Sequence, residues 1–210
     1  MHKKNYRIAG KKLIAGGKFL IMIHGRGGSA EDILSLSDSL DVEEFTLLAP
    51  QATGNTWYPY SFLAPPAQNE PWLSSALAVL DELVKDMTAQ GVPHENIYFL
   101  GFSQGACLML EFITRNAERW GGAAAFTGGL IGDRVYPENY KGDFKGMPIF
   151  IGTSDPDPHV PVERVEATAG RLTNMNAAVT KQIYKNMGHT ISLDEIGMAN
   201  KLVFGVTSTV

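Results

Sequence analysis

Short, mostly apolar runs alternate with segments of helical periodicity along the chain. A strand covered on both faces carries apolar side chains at nearly every position, so these runs predict strands inside a sheet. Two further segments, 5–9 and 12–15, flank Gly10 and Lys11 and predict an N-terminal hairpin. The other predicted strands span residues 18–23, 45–49, 97–100, 122–126, 148–153 and 179–184.

The segments between the strands carry apolar residues three and four positions apart, as the buried face of a helix does. Ser29 and Ser192 stand where N-caps are expected, before helices predicted to extend to Leu40 and Phe204. Alternating strands and helices predict a single α/β domain over residues 1–210, with a mostly parallel sheet flanked by helices. The remaining predicted helices span residues 72–90, 106–113 and 162–175.

One strand-to-helix junction carries a motif with a chemical meaning. Residues 97–100 pass into the helix at 106–113 through Gly101-Phe102-Ser103-Gln104-Gly105. A Gly-x-Ser-x-Gly turn between a strand and a helix is typical of a nucleophile elbow. The glycines allow a close crossing, and the serine hydroxyl is presented at the positive end of the helix dipole. The pattern predicts Ser103 as a nucleophile, and the alternative is a serine in a tight turn.

Other polar residues follow the ends of predicted strands, where functional groups gather in open α/β sheets. His24, Gly25 and Arg26 follow one strand, and His189 follows the last. Asp155 and Asp157 both follow the strand at 148–153, and each precedes a proline, so strand position does not choose between them. The chain order serine, aspartate, histidine is the order expected for an α/β-hydrolase.

Composition and charge exclude several classes of partner and cofactor from what we expect of this chain. The chain has 18 Lys+Arg against 22 Asp+Glu and no basic block, which argues against a nucleic-acid partner. No apolar run reaches the length of a membrane span, and no signal peptide is evident, so we expect a cytoplasmic protein. The scattered histidines lack metal-ligand spacing, so no metal site is predicted. The single cysteine, Cys107, is expected to face the core.

Four motifs together resemble the phospholipase/carboxylesterase family, a group of small α/β-hydrolases that includes acyl-protein thioesterases. They are the elbow at 101–105, the His24-Gly25 loop, Asp157-Pro158-His159-Val160-Pro161 and Gly188-His189. The resemblance implies Asp157 and His189 as partners of Ser103 and implies no cofactor. It also implies that the backbone N–H groups of Arg26 and Gln104 form the oxyanion hole. Arg26 departs from the apolar residue typical of thioesterase members.

Several candidates keep two interpretations. Trp57 and Tyr58 lie in a long irregular loop, 51–71, and are expected either to line a substrate pocket or to pack that loop down. His159 is expected either to border the cleft or to be a solvated loop residue. His24 is expected to hold its own loop by hydrogen bonds, and His2 is expected at the surface.

These observations predict a serine carboxylesterase that acts on a small-molecule ester through an acyl-enzyme. A thioesterase or lysophospholipase acting on long acyl chains is the alternative within the same chemistry. A non-catalytic ligand-binding protein on the same fold is the alternative outside it, since a fold does not define a function. The oligomeric state is not predicted.

Overall fold

A seven-stranded sheet forms the centre of the computed structural model, which describes residues 1–205. The strand order is β1-β3-β2-β4-β5-β6-β7, with β1 antiparallel to β3 and every other pair parallel. The predicted, mostly parallel sheet is therefore confirmed. The strands are β1 (Tyr6–Gly10), β2 (Lys18–Ile23), β3 (Phe45–Pro50), β4 (Ile97–Phe102), β5 (Gly122–Phe126), β6 (Pro148–Asp155) and β7 (Ala178–Lys185).

Four of the five α-helices in residues 1–205 connect strands, and α5 follows β7. Ser29 and Ser192 cap α1 and α5, each in a capping box with the acidic residue three positions later, as their positions predict. The segments predicted to extend these two helices continue as a 3₁₀ helix at Ser35–Ser39 and a π-helix at Asn200–Phe204. The helices are α1 (Ala30–Leu34), α2 (Trp72–Ala89), α3 (Gln104–Arg115), α4 (Val162–Thr173) and α5 (Leu193–Ala199).

The predicted N-terminal hairpin is wrong. Residues 6–10 form β1, but this strand pairs with β3, with Arg7 opposite Ala49, and residues 12–15 are not a strand. The chain leaves the sheet at Gly10, whose φ of 73° lies in the left-handed region and whose added Cβ would lie 2.5 Å from the Phe45 carbonyl oxygen. Pairing with β3 satisfies the backbone of an otherwise open sheet edge, which a local hairpin would leave exposed.

The two faces of the sheet are covered by different helices. Buried residues of α2, α3 and α4 join one hydrophobic cluster, while those of α1 and α5 join a second cluster on the other face. This arrangement explains why the central strands are apolar at almost every position. Within residues 1–205, no helix is both long and apolar enough to cross a bilayer.

Candidate active site

Ser103 sits in a strained turn between β4 and α3, with φ 53° and ψ −119°. The turn is tight because a Cβ on Gly105 would lie 2.2 Å from the Ile23 carbonyl oxygen, and one on Gly101 would lie 2.7 Å from the Ala106 backbone. The Ser103 N–H donates to the Phe126 carbonyl oxygen at 2.9 Å, which ties the turn to β5. The geometry of the junction is that of the elbow predicted from the motif.

A continuous hydrogen-bonded chain runs from this serine through a histidine to a carboxylate. His189 Nε2 lies 2.8 Å from Ser103 Oγ, and His189 Nδ1 lies 2.8 Å from Asp157 Oδ2. The Asp157 side chain is fully buried, whereas one fifth of the His189 side chain is exposed. The structure therefore brings together three residues that are 54 and 32 positions apart in the sequence.

Asp157 is held by its own loop as well as by the histidine. Its Oδ1 accepts hydrogen bonds from the backbone N–H groups of His159 and Val160, each at 2.8 Å. Burial pushes the pKa of Asp157 upward, but the hydrogen bonds from His189 and the two N–H groups outweigh it, so the pKa lies below its ordinary value. Asp155, by contrast, is exposed at the end of β6, opposite Lys185.

The loop that carries His189 is fixed by backbone and ring contacts. The Gly188 N–H donates to Ser154 Oγ at 2.9 Å, and Gly188 adopts a φ of 83° that glycine tolerates. The imidazole ring of His189 packs edge-on against His159, at 4.8 Å between centroids, and lies 5.3 Å from the Phe102 ring. These contacts orient the imidazole between the serine and the carboxylate.

Arg26 and Gln104 flank Ser103, and neither backbone N–H donates a hydrogen bond within the described residues. Their side chains hold the loop opposite the serine. Gln104 accepts from the Trp57 N–H at 2.9 Å and donates to the Tyr58 carbonyl oxygen at 2.8 Å. Arg26 donates to the carbonyl oxygens of Pro59 and Tyr60. Sequence reasoning missed that these two side chains hold the loop, because the contacts join segments that are far apart in the sequence.

A cavity of about 440 Å³ opens beside Ser103. Tyr58 and His159 line it, as one interpretation of each predicted, although His159 is also solvent-exposed, as the other predicted. Sequence reasoning missed Phe62, Phe102 and Val160 as wall residues. The lining comprises Gly25, Arg26, Tyr58, Pro59, Tyr60, Ser61, Phe62, Phe102, Ser103, Gln104, Cys107, His159, Val160 and His189.

Trp57 packs the loop down and lies outside the cavity lining. It is fully buried, its indole N–H donates to the His24 carbonyl oxygen at 2.9 Å, and its ring lies 5.0 Å from the His24 ring. His2, which is predicted at the surface, is half-buried, and its ring lies 5.3 Å from the Trp57 ring and 5.2 Å from the Trp72 ring. The contacts of the His2 ring with these two indoles join the N-terminal segment to the loop 51–71 and to the start of α2.

His24 is the structural residue that its position predicts. It is 1% exposed, its Nδ1 bonds the Gly25 carbonyl oxygen at 2.7 Å, and its Nε2 accepts from the Ala52 N–H at 3.2 Å. A ring nitrogen that accepts an N–H carries no proton, so the ring is neutral. Burial also lowers the pKa of His24.

Cys107 lies one helical turn beyond Ser103 and lines the cavity. It is 1% exposed, and burial raises the pKa of its thiol to about 12. A protonated thiol is a poor nucleophile. The buried Tyr58 hydroxyl lies beside the thiol, and burial raises the pKa of that hydroxyl well above its ordinary value. Both residues line the cavity.

Comparison with known proteins gives one family. A family model described as phospholipase/carboxylesterase matches residues 15–203. The chain is 26% identical over 195 residues to "Probable carboxylesterase SOBER1-like" of Arabidopsis thaliana, covering 85% of this chain and 74% of the relative. It is 27% identical over 205 residues to acyl-protein thioesterase 1 of Emericella nidulans, covering 84% and 85% of the two chains.

Solved structures similar to this chain include a phospholipase/carboxylesterase and a carboxylesterase. A phospholipase/carboxylesterase of Dyadobacter fermentans is 54% identical to this chain, with a TM-score of 0.94, and the match covers 95% and 96% of the two chains. The Bacillus cereus carboxylesterase has a TM-score of 0.75 over 93% and 91% of the two chains. At 22% identity, this second likeness bears on the fold alone.

Proposed function

The chain belongs to the phospholipase/carboxylesterase family of α/β-hydrolases, and from that premise we propose that it cleaves carboxylic esters as a serine hydrolase. The observation that carries the proposal is the hydrogen-bonded chain from Ser103 through His189 to Asp157, with both distances at 2.8 Å. A nucleophile, a base within hydrogen-bond reach and a group that orients the base are what covalent catalysis by serine requires.

Ser103 Oγ attacks the ester carbonyl carbon while His189 Nε2 accepts the hydroxyl proton. The tetrahedral intermediate collapses, His189 returns that proton to the leaving alcohol, and the acyl group stays on Ser103. Water then attacks the acyl-enzyme with His189 again as base, which releases the acid and restores the serine. Asp157 stabilises the imidazolium and holds the Nδ1–H tautomer, for which its buried carboxylate is suited.

The oxyanion of each intermediate is held by the backbone N–H groups of Arg26 and Gln104 in this proposal. Two features support the assignment: neither N–H has another acceptor among the described residues, and Gln104 is the first residue of α3. The first N–H groups of a helix have no partner within the helix and lie at its positive end. Removing such donors by side-chain mutation is not possible, because both belong to the backbone.

We expect Ser103→Ala to lower ester turnover by about 10⁴-fold or more, because it removes the nucleophile and leaves the fold intact. Ser39→Ala, at an exposed serine outside the cavity lining, is the matched control and should retain activity. Reaction with a fluorophosphonate probe, followed by mass mapping, should yield an adduct on Ser103. Substantial esterase activity in pure Ser103→Ala protein would refute the mechanism.

A thioesterase activity is the second candidate, favoured by the similarity to acyl-protein thioesterase 1. The same three residues would cleave a thioester by the same steps, with a thiol as leaving group. Parallel assays with an ester and a thioester of one acyl group compare the two activities directly. A kcat/KM that is much larger for the thioester would assign the enzyme to that class.

A further inference from the structure

Arg26 is a solvent-exposed residue of the cavity lining, and no acidic side chain pairs with its guanidinium among the described residues. Among the described residues that line the cavity there is one arginine, no lysine and no carboxylate. The guanidinium has no carboxylate within 4.0 Å in the described part of the chain, whereas Arg7, Arg115 and Arg134 each form an ion pair. This local charge contrasts with the formal net charge of −4 of the whole protein.

The guanidinium is held in one orientation by neutral acceptors. Nη1 donates to Thr56 Oγ1 at 3.1 Å and to the Pro59 carbonyl oxygen at 3.0 Å, and Nη2 donates to the Tyr60 carbonyl oxygen at 2.7 Å. These bonds fix the side chain but leave its charge uncompensated. Because these hydrogen bonds already order the Arg26 side chain, ligand binding requires little further loss of its conformational entropy.

Counting donors shows what remains for a ligand. A guanidinium has five N–H groups, and three are used by the loop. The Nε–H and the second Nη2–H have no acceptor among residues 1–205. An Nε–H and an Nη–H that point along the same edge of a guanidinium can bind a carboxylate through two parallel hydrogen bonds.

The sheet order indicates which part of an ester this charge would meet. Arg26 follows β2 and His189 follows β7, and these strands lie on opposite sides of β4, which leads to Ser103. His189 must reach the leaving alcohol to return its proton. An acyl part that extends away from His189 meets the Arg26 side of the serine.

We propose that the enzyme prefers esters whose acyl part ends in a carboxylate, that is, monoesters of short dicarboxylic acids, with the carboxylate bound by the Nε–H and Nη2–H of Arg26. The inference rests on the proposed esterase function and specifies its substrate class. Arg26 then serves twice, since its backbone N–H faces the oxyanion and its side chain selects the acyl group.

The first test compares two substrates of the same size. Monoethyl glutarate carries the carboxylate, and the ethyl ester of glutaric acid monoamide replaces it with an uncharged amide. For the wild-type enzyme, we expect kcat/KM to be about 10- to 100-fold higher for the carboxylate, the range expected for hydrogen bonds to a charged group. The preference should weaken as NaCl is raised from about 0.05 M to about 1 M.

The second test uses variants and reads the ratio of the two kcat/KM values. Arg26→Gln should bring the ratio close to one, and Arg26→Lys, which keeps the charge but loses the planar pair of donors, should retain part of it. Because Arg26 also holds the loop, both variants lower the activity on each ester, but a loop effect alone would leave the ratio unchanged. Arg134→Gln removes the same charge outside the cavity lining and should keep the wild-type ratio.

The outcomes separate this inference from the proposed function. Wild-type hydrolysis of both esters with a ratio near one overturns the carboxylate preference and leaves the esterase intact. An unchanged ratio in active Arg26→Gln protein overturns the role of Arg26. Absence of hydrolysis of either ester, together with no fluorophosphonate adduct on Ser103, overturns the proposed function itself. If Arg26→Gln does not fold, the wild-type ratio and its salt dependence decide the question.

Discussion

At the scale of single residues, the two aspartates after β6 differ in what their carboxylates contact. Asp157 bonds His189 and two backbone N–H groups, whereas no hydrogen bond to the Asp155 carboxylate occurs within the described residues. We therefore expect Asp157→Asn to lower kcat by about 10³- to 10⁴-fold, because the wrong imidazole tautomer is favoured. Asp155→Asn is the matched control and should cost about tenfold or less. Steady-state kinetics of both variants test this, and a larger loss in Asp155→Asn would reverse the assignment.

A second prediction at this scale concerns His24 and the pH dependence of stability. Its pKa is lowered in the folded protein by burial, whereas an unfolded chain has an ordinary histidine pKa of about 6.5. Below that pH the unfolded state binds more protons, so the free energy of unfolding decreases as the pH falls. The lowered pKa of His2, also due to burial, acts in the same direction.

Urea unfolding between about pH 8 and about pH 5.5 measures this effect. We expect His24→Asn, which keeps one donor and one acceptor but cannot titrate, to show a shallower dependence of the free energy of unfolding on pH. The difference in free energy of unfolding between His24→Asn and the wild type at pH 8 gives the part of the destabilisation that does not depend on protonation. An equal pH slope in the two proteins would argue against a buried neutral His24.

At the scale of elements, the crossing of β2, β4 and α3 leaves no room for a side chain at Gly105. An added Cβ would lie 2.2 Å from the Ile23 carbonyl oxygen and 2.5 Å from that of His24, and neither backbone atom can move freely. We expect Gly105→Ala to lower the free energy of unfolding by about 3 kcal/mol through overpacking. Chemical denaturation measures the loss.

The matched control is Gly170 inside α4, where an added Cβ meets nothing within 4 Å. Because alanine favours the helix over glycine, Gly170→Ala should raise the free energy of unfolding by about 0.5 to 1 kcal/mol. Similar unfolding midpoints for the two variants would mean that the close crossing does not constrain the fold.

At the scale of the whole molecule, the cavity is assembled from loops that follow several strands, and its lining mixes aromatic with polar and charged residues. Burial of an acyl chain stabilises binding by about 0.8 kcal/mol per CH₂ only where the walls are apolar. We expect p-nitrophenyl butanoate to be cleaved with a kcat/KM about tenfold or more above that of the palmitate ester. A clear preference for the long chain would instead favour the thioesterase or lysophospholipase alternative.

Local sequence patterns were sufficient to predict the parallel strands and the turn that carries Ser103. The apolar runs defined the parallel strands because a doubly covered strand must be apolar throughout, and Gly101, Ser103 and Gly105 defined the elbow because its backbone strain is local. The hairpin prediction failed because the partner of β1 is β3, some 40 residues away, and strand pairing is not encoded within a short segment.

The tertiary structure decided which groups meet where local chemistry did not. Asp155 and Asp157 both follow β6 and both precede a proline; the family resemblance implied Asp157, and the path of the loop after β6 is what brings its carboxylate to His189. The folded loop 51–71 likewise separates Tyr58, which lines the cavity, from the neighbouring Trp57, which packs behind it. Contacts between distant segments depend on the packing of the whole sheet and its helices, so no sequence window contains the information that selects them.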